Sequence, residues 1–413
     1  MATTSPISEN VPPPQPPAPS SGLLVSLSPL SADGLSATLA NLALAFPNQT
    51  IEVATPDVVP ATPPQFRLVS YSPATPAPGG WVLSAADFVN THKLLHENAA
   101  TCCLLLGPEA QSLAPEALRA LADAVLAGKS DLAMPHYTLG PRDGLVNSAI
   151  LYPVTRALFA TRPRYPLAVD LAFSSRMAER LAACAQKYVS TNQPAALVWP
   201  VAEAATAGYS IAEVPAGTRA LPPPDFADLN TILAQVAGSQ FADLDAKAAF
   251  WQRPRLAYSA RGNPSASQAS SNPDPSHATS DAPDVQPMVD SFCLAYINLL
   301  EIWSLVLPPN SLLGLKKLSV TPTANFRMPD SLWARIIYDF VLAHRLRTIN
   351  RGHLLGALTP LYLAWVASHI LQTSGTAPDS VTPEKHIETL AVAFETDKPY
   401  LVSRWRWPDR FNP

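Results

Sequence analysis

Charged side chains are scarce in this chain: Asp, Glu, Lys and Arg make up 15% of its 413 residues, against roughly a quarter in an ordinary soluble protein. The formal net charge is -4, so there is no basic surplus of the kind that nucleic acid or an anionic lipid surface requires. Cysteine is nearly absent too. Cys102, Cys103, Cys184 and Cys293 form no CxxC and have no zinc-like spacing to histidine, and the first two, in the apolar run Cys102 to Leu106, read as buried free thiols. Long uninterrupted apolar runs are also missing. The best helical candidates, around Cys293 to Leu307 and Ala357 to Leu371, are broken by Asn298, Glu301, Pro360 and His369 and are short for a bilayer. The first 22 residues carry Glu9, Asn10 and a proline run where a signal peptide has a basic start and an apolar core. Finally, GxxxxGK[ST], GxGxxG and GxSxG do not occur, which removes support for a P-loop ATPase, a dinucleotide-binding dehydrogenase and an α/β-hydrolase. A soluble, cytoplasmic protein with no nucleic-acid and no membrane partner is expected.

What is present is proline, 45 residues, and enough apolar residues, 47%, for real cores. The length suits about two to three domains. Residues 1–21 form a Pro/Ser tail unable to bury enough apolar surface to fold. From residue 22 to 255, apolar runs alternate with helical periodicity. Strands are predicted at Leu23 to Leu27, Ile51 to Ala54, Phe66 to Ser70, Cys102 to Leu106, Asp131 to Pro135 and Ser210 to Val214. Between them helices are predicted at Leu35 to Ala45, Ala85 to Asn98, Pro115 to Ala127, Ser175 to Tyr188, Val198 to Ala207 and Leu229 to Phe250. Strand, helix, strand implies an α/β domain with a mostly parallel sheet. Residues 256–287 form a linker or insertion whose Arg261 to Pro287 part is low-complexity Ser/Pro/Asn/Asp. Residues 288–413 read as all-helical, with helices at Met288 to Leu307, Ser331 to Asn350 after Asp330 as N-cap, His353 to Gln372 and Pro383 to Phe394. The terminal Tyr400 to Trp407 interleaves tryptophan with arginine and is expected to cover an apolar surface.

Chemistry concentrates between Pro135 and Ser174. A strand ending at Pro135 opens into a loop carrying His136, Tyr137, Arg142, Asp143 and Asn147, and in open α/β sheets ligands bind at such strand ends. Asn147 to Phe159 has helical spacing, with Ile150, Val154 and Leu158 on one stripe and Leu151 and Thr155 beside it. Arg162, Arg164 and Tyr165 then lead into the apolar run Pro166 to Ser174, which contains one acid, Asp170. A carboxylate there must cap the next helix, pair with an arginine such as Arg162 or Arg164, or face a cavity, because burying it uncompensated costs several kcal/mol. His92 and His96 stand at i, i+4 beside Glu97, but the glutamate is misplaced for a HExxH zinc site.

Two stretches together resemble a known family. Tyr152-Pro-Val-Thr-Arg-Ala-Leu158 followed by Arg164-Tyr-Pro-Leu-Ala-Val-Asp170-Leu-Ala-Phe-Ser174 is similar to the acceptor-side motif of the glucosylglycerate and mannosylglycerate synthases. The second match comprises Met328-Pro-Asp-Ser-Leu-Trp333-Ala-Arg-Ile-Ile-Tyr-Asp-Phe340, Asn350-Arg-Gly-His353, Leu358-Thr-Pro-Leu-Tyr362 and Lys398-Pro-Tyr400. The resemblance spans roughly residues 100 to 405. It implies a retaining glycosyltransferase with a GT-A, Rossmann-like and mostly parallel sheet and an all-α C-terminal domain. Such an enzyme moves a hexose from a nucleoside-diphosphate sugar to D-glycerate or a similar small hydroxy acid, and a homodimer is implied by resemblance only.

On that reading Asp170 and Asn147 stand near the reacting centre. Tyr137, Arg142, Asp143, Thr155, Arg156 and Arg164 line the acceptor, with Arg156 or Arg164 at its carboxylate, and Glu109 and Arg219 face the donor. The departures are specific. GT-A enzymes hold Mg or Mn with an Asp-x-Asp motif at a central strand end, because carboxylates must fix the cation that neutralises the diphosphate. Here Gly107-Pro108-Glu109 leaves Glu109 as the one weak metal candidate, the expected histidine is missing around Gly217 to Leu221, and Ala168-Val169 replaces a glycine pair. Arginines such as Arg142 and Arg219 are then expected at the diphosphate in place of the cation. Two readings stay open: a hexosyltransferase, or a catalytically inactive relative acting as a binding or regulatory partner.

Overall fold

The computed structural model describes residues 22–56, 66–71, 81–167, 169–221, 228–253, 284–374 and 380–407. The Pro/Ser tail and almost all of the 256–287 stretch lie outside the described residues, as does Ala168.

Among the described residues seven strands, β1 (Leu23–Leu27), β2 (Ile51–Thr55), β3 (Phe66–Ser70), β4 (Cys102–Leu106), β5 (Leu132–Thr138), β6 (Asp170–Ser174) and β7 (Ile211–Thr218), form one mixed sheet in the order β3-β2-β1-β4-β6-β5-β7. All neighbours pair in parallel except β6, which runs antiparallel to both β4 and β5. The apolar runs in β1, β2 and β4 are buried throughout, because helices cover both faces of the sheet. On one face pack α1 (Ala32–Ala45) and α3 (Pro115–Leu126), and on the other α2 (Ala85–Glu97) and α5 (Ser175–Ser190). Local chemistry sets the helix starts. Ser31 and Ser174 accept amide hydrogen bonds at the first turns of α1 and α5, Ser84 and Asp87 form a capping box on α2, and Pro115 opens α3.

The antiparallel β6 is what the alternation of runs could not show, and it decides the site. Since β4, β5 and β7 all run the same way and β6 the other, the first residue of β6 lies at the edge where the others end; Asp170 pairs in register with Leu106. Pro135 does not end β5. The strand continues to Thr138, because β6 pairs only with Leu132 and Ala133, so Pro135 leaves no amide missing from that side, while its neighbour β7 follows it through a register shift at His136/Tyr137.

The remaining helices share one core. It runs from a single π turn, Asn147–Leu151, and α4 (Tyr152–Phe159), through α6 (Pro200–Ala207), α7 (Leu229–Ala246) and α8 (Ala248–Trp251). It continues into α9 (Gln286–Asn298), α10 (Leu300–Ser304), α11 (Pro309–Ser319), α12 (Asp330–Leu346), α13 (Arg351–Thr373) and α14 (Pro383–Arg406). Apolar packing therefore crosses the 256–287 stretch without a break. Pro153 contributes to that continuity. Having no N–H, it leaves the Ala149 carbonyl free of a helical partner, and the Trp333 indole of α12 donates to it at 2.8 Å.

Several helix bounds differ from the sequence expectation. Met288 to Leu307 breaks at Leu299 into α9 and α10, α11 was not foreseen, and α14 runs on through Pro399 to Arg406. Pro329, not Asp330, is the N-cap of α12, since the Asp330 carboxylate turns to His386 Nε2 at 3.2 Å. Trp405 is buried edge-on against Trp251, while Trp407 stays exposed. Among the described residues one helix, α13, is long and apolar enough to cross a membrane by length and composition, and most of it is buried in this core.

Candidate functional site

At the carboxyl edge of the sheet, Asp170 is entirely buried and faces four donors. The Tyr137 hydroxyl donates to Oδ2 at 2.6 Å, the Gly107 amide to Oδ1 at 3.1 Å, and Arg219 donates twice, from Nε to Oδ2 at 2.8 Å and from Nη2 to Oδ1 at 3.1 Å. This is a two-pronged guanidinium–carboxylate pair with no solvent at either side chain. Arg219 is equally occupied: Nη2 also reaches the Pro108 carbonyl, and Nη1 reaches the Glu109 and Ala220 carbonyls and the Ser112 hydroxyl. Burial alone would depress the Arg219 pKa, yet Asp170 holds it above the ordinary value. Burial, then Asp170, pushes the Tyr137 phenol well up, so it stays a donor. Position 107 must be glycine here. A Cβ at that position would lie 2.4 Å from the Val169 carbonyl oxygen, so only hydrogen lets the end of β4 approach β6 closely enough for the amide to reach Asp170.

The arginines expected at an acceptor are also engaged, by α14. Arg156 meets Glu388 at 2.5 Å and Glu395 at 3.0 Å, and the Tyr152 hydroxyl donates to Glu388 at 2.6 Å. Arg164, 4% exposed, donates from Nε to Glu384 at 3.0 Å and from Nη2 to Ser148 at 3.0 Å, and lies over the rings of Tyr152 and Tyr165. Asn147, in the π turn, donates to the Arg164 carbonyl at 2.8 Å. Three buried polar atoms near this junction have no partner among the described residues: Asn147 Oδ1, Arg164 Nη1 and His369 Nε2. His369 stacks on Trp365 and shares a 2.7 Å Nδ1 contact with His386; burial, then the charges of His386 and Arg164, depresses its pKa to about 3. Thr155 is buried beside Gln240.

Other predicted residues remain at the surface. Asp143 closes its own loop by accepting the Gly140 amide, and Arg142 is exposed with no ion-pair partner among the described residues. Glu109 sits in a left-handed conformation, φ 61°, and its carboxylate accepts from Gln111. His136 pairs with Glu213 at 3.2 Å, which raises the imidazole pKa against the effect of burial.

A divalent cation does not fit this edge. The Asp170 carboxylate has its oxygens taken by N–H and O–H donors, and a guanidinium fills the space beside it. The Glu109 carboxylate accepts from Gln111, and among the described residues no group of three or more His, Cys, Asp or Glu is arranged to hold a metal. Nor does Arg219 reach outward to a donor, since its N–H groups are spent inside the fold.

No family model matches the chain, and no curated protein matches it. Among solved structures it is similar to glucosyl-3-phosphoglycerate synthase from Mycobacterium tuberculosis in complex with phosphoglyceric acid. That match has 15% identity and a TM-score of 0.34, and covers 54% of this chain and 79% of that one. It is likewise similar to the same protein in complex with Mn2+, UDP-glucose and phosphoglyceric acid, at 15% identity and a TM-score of 0.33 with the same coverages.

The structure thus brings Tyr137, Asp170, Arg219 and the Glu109 carbonyl into one cluster and Asn147, Arg156 and Arg164 into another, and leaves Arg142 and Asp143 on a separate loop. Sequence reasoning missed Gly107, Ser112 and the glutamates of α14. Glu384, Glu388 and Glu395 do carry a signal, because spacings of four and seven put them on one helical face.

Proposed function

We propose that this chain is a glycosyltransferase-like protein that keeps the nucleotide-sugar transferase scaffold without turning over a sugar donor, and that it acts as a binding or regulatory partner. The observation that carries this reading is the buried Asp170–Arg219 pair, which commits the strand-end carboxylate and the arginine expected at the diphosphate to each other. Arg156 and Arg164, expected at an acceptor carboxylate, are likewise paired with α14. The mostly parallel sheet, the helical C-terminal region and the motif resemblance around Tyr152 to Ser174 support the scaffold half of the proposal.

A second reading, cation-independent hexose transfer to D-glycerate or a similar hydroxy acid, is favoured by one observation. Arg142 is an exposed guanidinium in the loop after β5, without an ion-pair partner among the described residues. Incubation with UDP-glucose, GDP-glucose or GDP-mannose plus D-glycerate or 3-phosphoglycerate, with manganese and separately with chelator, decides between the two. No glycosylated product under any condition is expected. Product that survives chelator and is lost in Arg142→Ala would overturn the first reading in favour of the second.

A further inference from the structure

A cavity of about 370 Å3 lies away from the strand ends, between α11 and the start of α12. Three cations from three segments line it: Lys317 on α11, Arg327 in the connection and Arg335 on α12. No acidic residue is among its lining. In a chain with more acids than bases, 32 against 28, such segregation leaves like charges facing one another across a common space, and that arrangement is relieved by an anion. The nearest acid on α12, Asp330, is turned to His386. Arg335 is anchored from behind, with Nε and Nη2 on Asp397 at 3.2 and 3.0 Å, which holds the guanidinium in place. The side chains of Lys317 and Arg327, by contrast, have no ion-pair partner among the described residues and are exposed. Ser311 and Ser331 add hydroxyl groups to the wall, and Leu318 and Leu332 give it an apolar side. Gly314 lets the two helices close on that side, since a Cβ there would already stand 3.0 Å from Leu332.

The geometry points to a binding site for a phosphate monoester: a dianion met by one anchored guanidinium and two exposed cations, with the carbon body of the ligand against the leucines. The volume falls within the range of small-molecule sites, roughly 300–1,000 Å3. A phosphate is presented by soluble metabolites and by lipid headgroups, and a cavity sized for one small molecule, with leucines on one side only, favours the former. The site uses none of the strand-end residues, so it stands or falls independently of the proposed lack of turnover.

The test is calorimetric titration of the full chain with glucose 6-phosphate and with inorganic phosphate, repeated on Lys317→Ala/Arg327→Ala. A parallel flotation assay uses phosphatidylcholine vesicles containing phosphatidic acid. Both substitutions are of exposed side chains, and thermal melts check that the variant is folded. Saturable binding of the monoester by the parent, weakened about tenfold or more in the double variant, is the expected result. Absence of heat with both probes, equal affinity in parent and variant, or binding to vesicles without binding to the soluble monoester would each overturn the proposal.

Discussion

At the scale of single residues, the fate of Asp170 follows from the cost of burying charge. An acid in an apolar strand had to be compensated, and that much is legible in the sequence. Its partner was not legible, because Arg219 lies 49 positions downstream and reaches Asp170 only through the reversal of β6. Removing one member of such a pair strands the other charge in the core, typically at about 3–5 kcal/mol. Asp170→Asn and Arg219→Met should each lose stability on that scale in urea unfolding, with the double variant losing clearly less than the two together. Single losses within about 0.5 kcal/mol, the range of ordinary surface substitutions, would refute the structural role. A second residue carries a pH signature. His344 is buried against Phe241, and burial, then the charge of Arg351, depresses its pKa to about 4. The folded protein therefore excludes a proton that the unfolded chain accepts near pH 6.5, so its contribution is intact above that pH and lost as pH falls toward 4. Relative to His344→Phe, the parent should lose about 2 kcal/mol between pH 7 and pH 5; parallel stability curves would contradict this.

At the scale of elements, periodicity and apolar runs located the strands and most helices, since each had to bury one face or both. They could not locate the break at Leu299 or the passage of α14 through Pro399, which neighbouring helices impose. The π turn before α4 shows how a local defect becomes a tertiary contact. Pro153 releases the Ala149 carbonyl, and Trp333 takes it. Trp333→Phe keeps most of the apolar volume but orphans that carbonyl in the core, at a cost of about 1–3 kcal/mol. A lowered melting temperature is expected in scanning calorimetry, and an unchanged one would show that the indole N–H contributes nothing.

At the scale of the whole molecule, the C-terminal helices are fastened to the α/β part by charge as well as by core packing. Glu384, Glu388 and Glu395 take up the arginines of the Pro135 to Ser174 region. The residues that made that region resemble a sugar-transfer site are present, and the fold draws them inward, the acid to Arg219 and the arginines to α14. The sequence shows which residues are unusual; the direction each one faces is set by sheet order and helix docking. The central claim is that the strand-end position where the resemblance implies a cation is filled by Arg219. It is tested most directly by titrating Mn2+, alone and with UDP-glucose, into the parent and into Asp170→Asn, with bound metal read by electron paramagnetic resonance. Manganese left free in both proteins, with and without the nucleotide sugar, is the expected result. Stoichiometric binding by the parent that disappears in Asp170→Asn would contradict it.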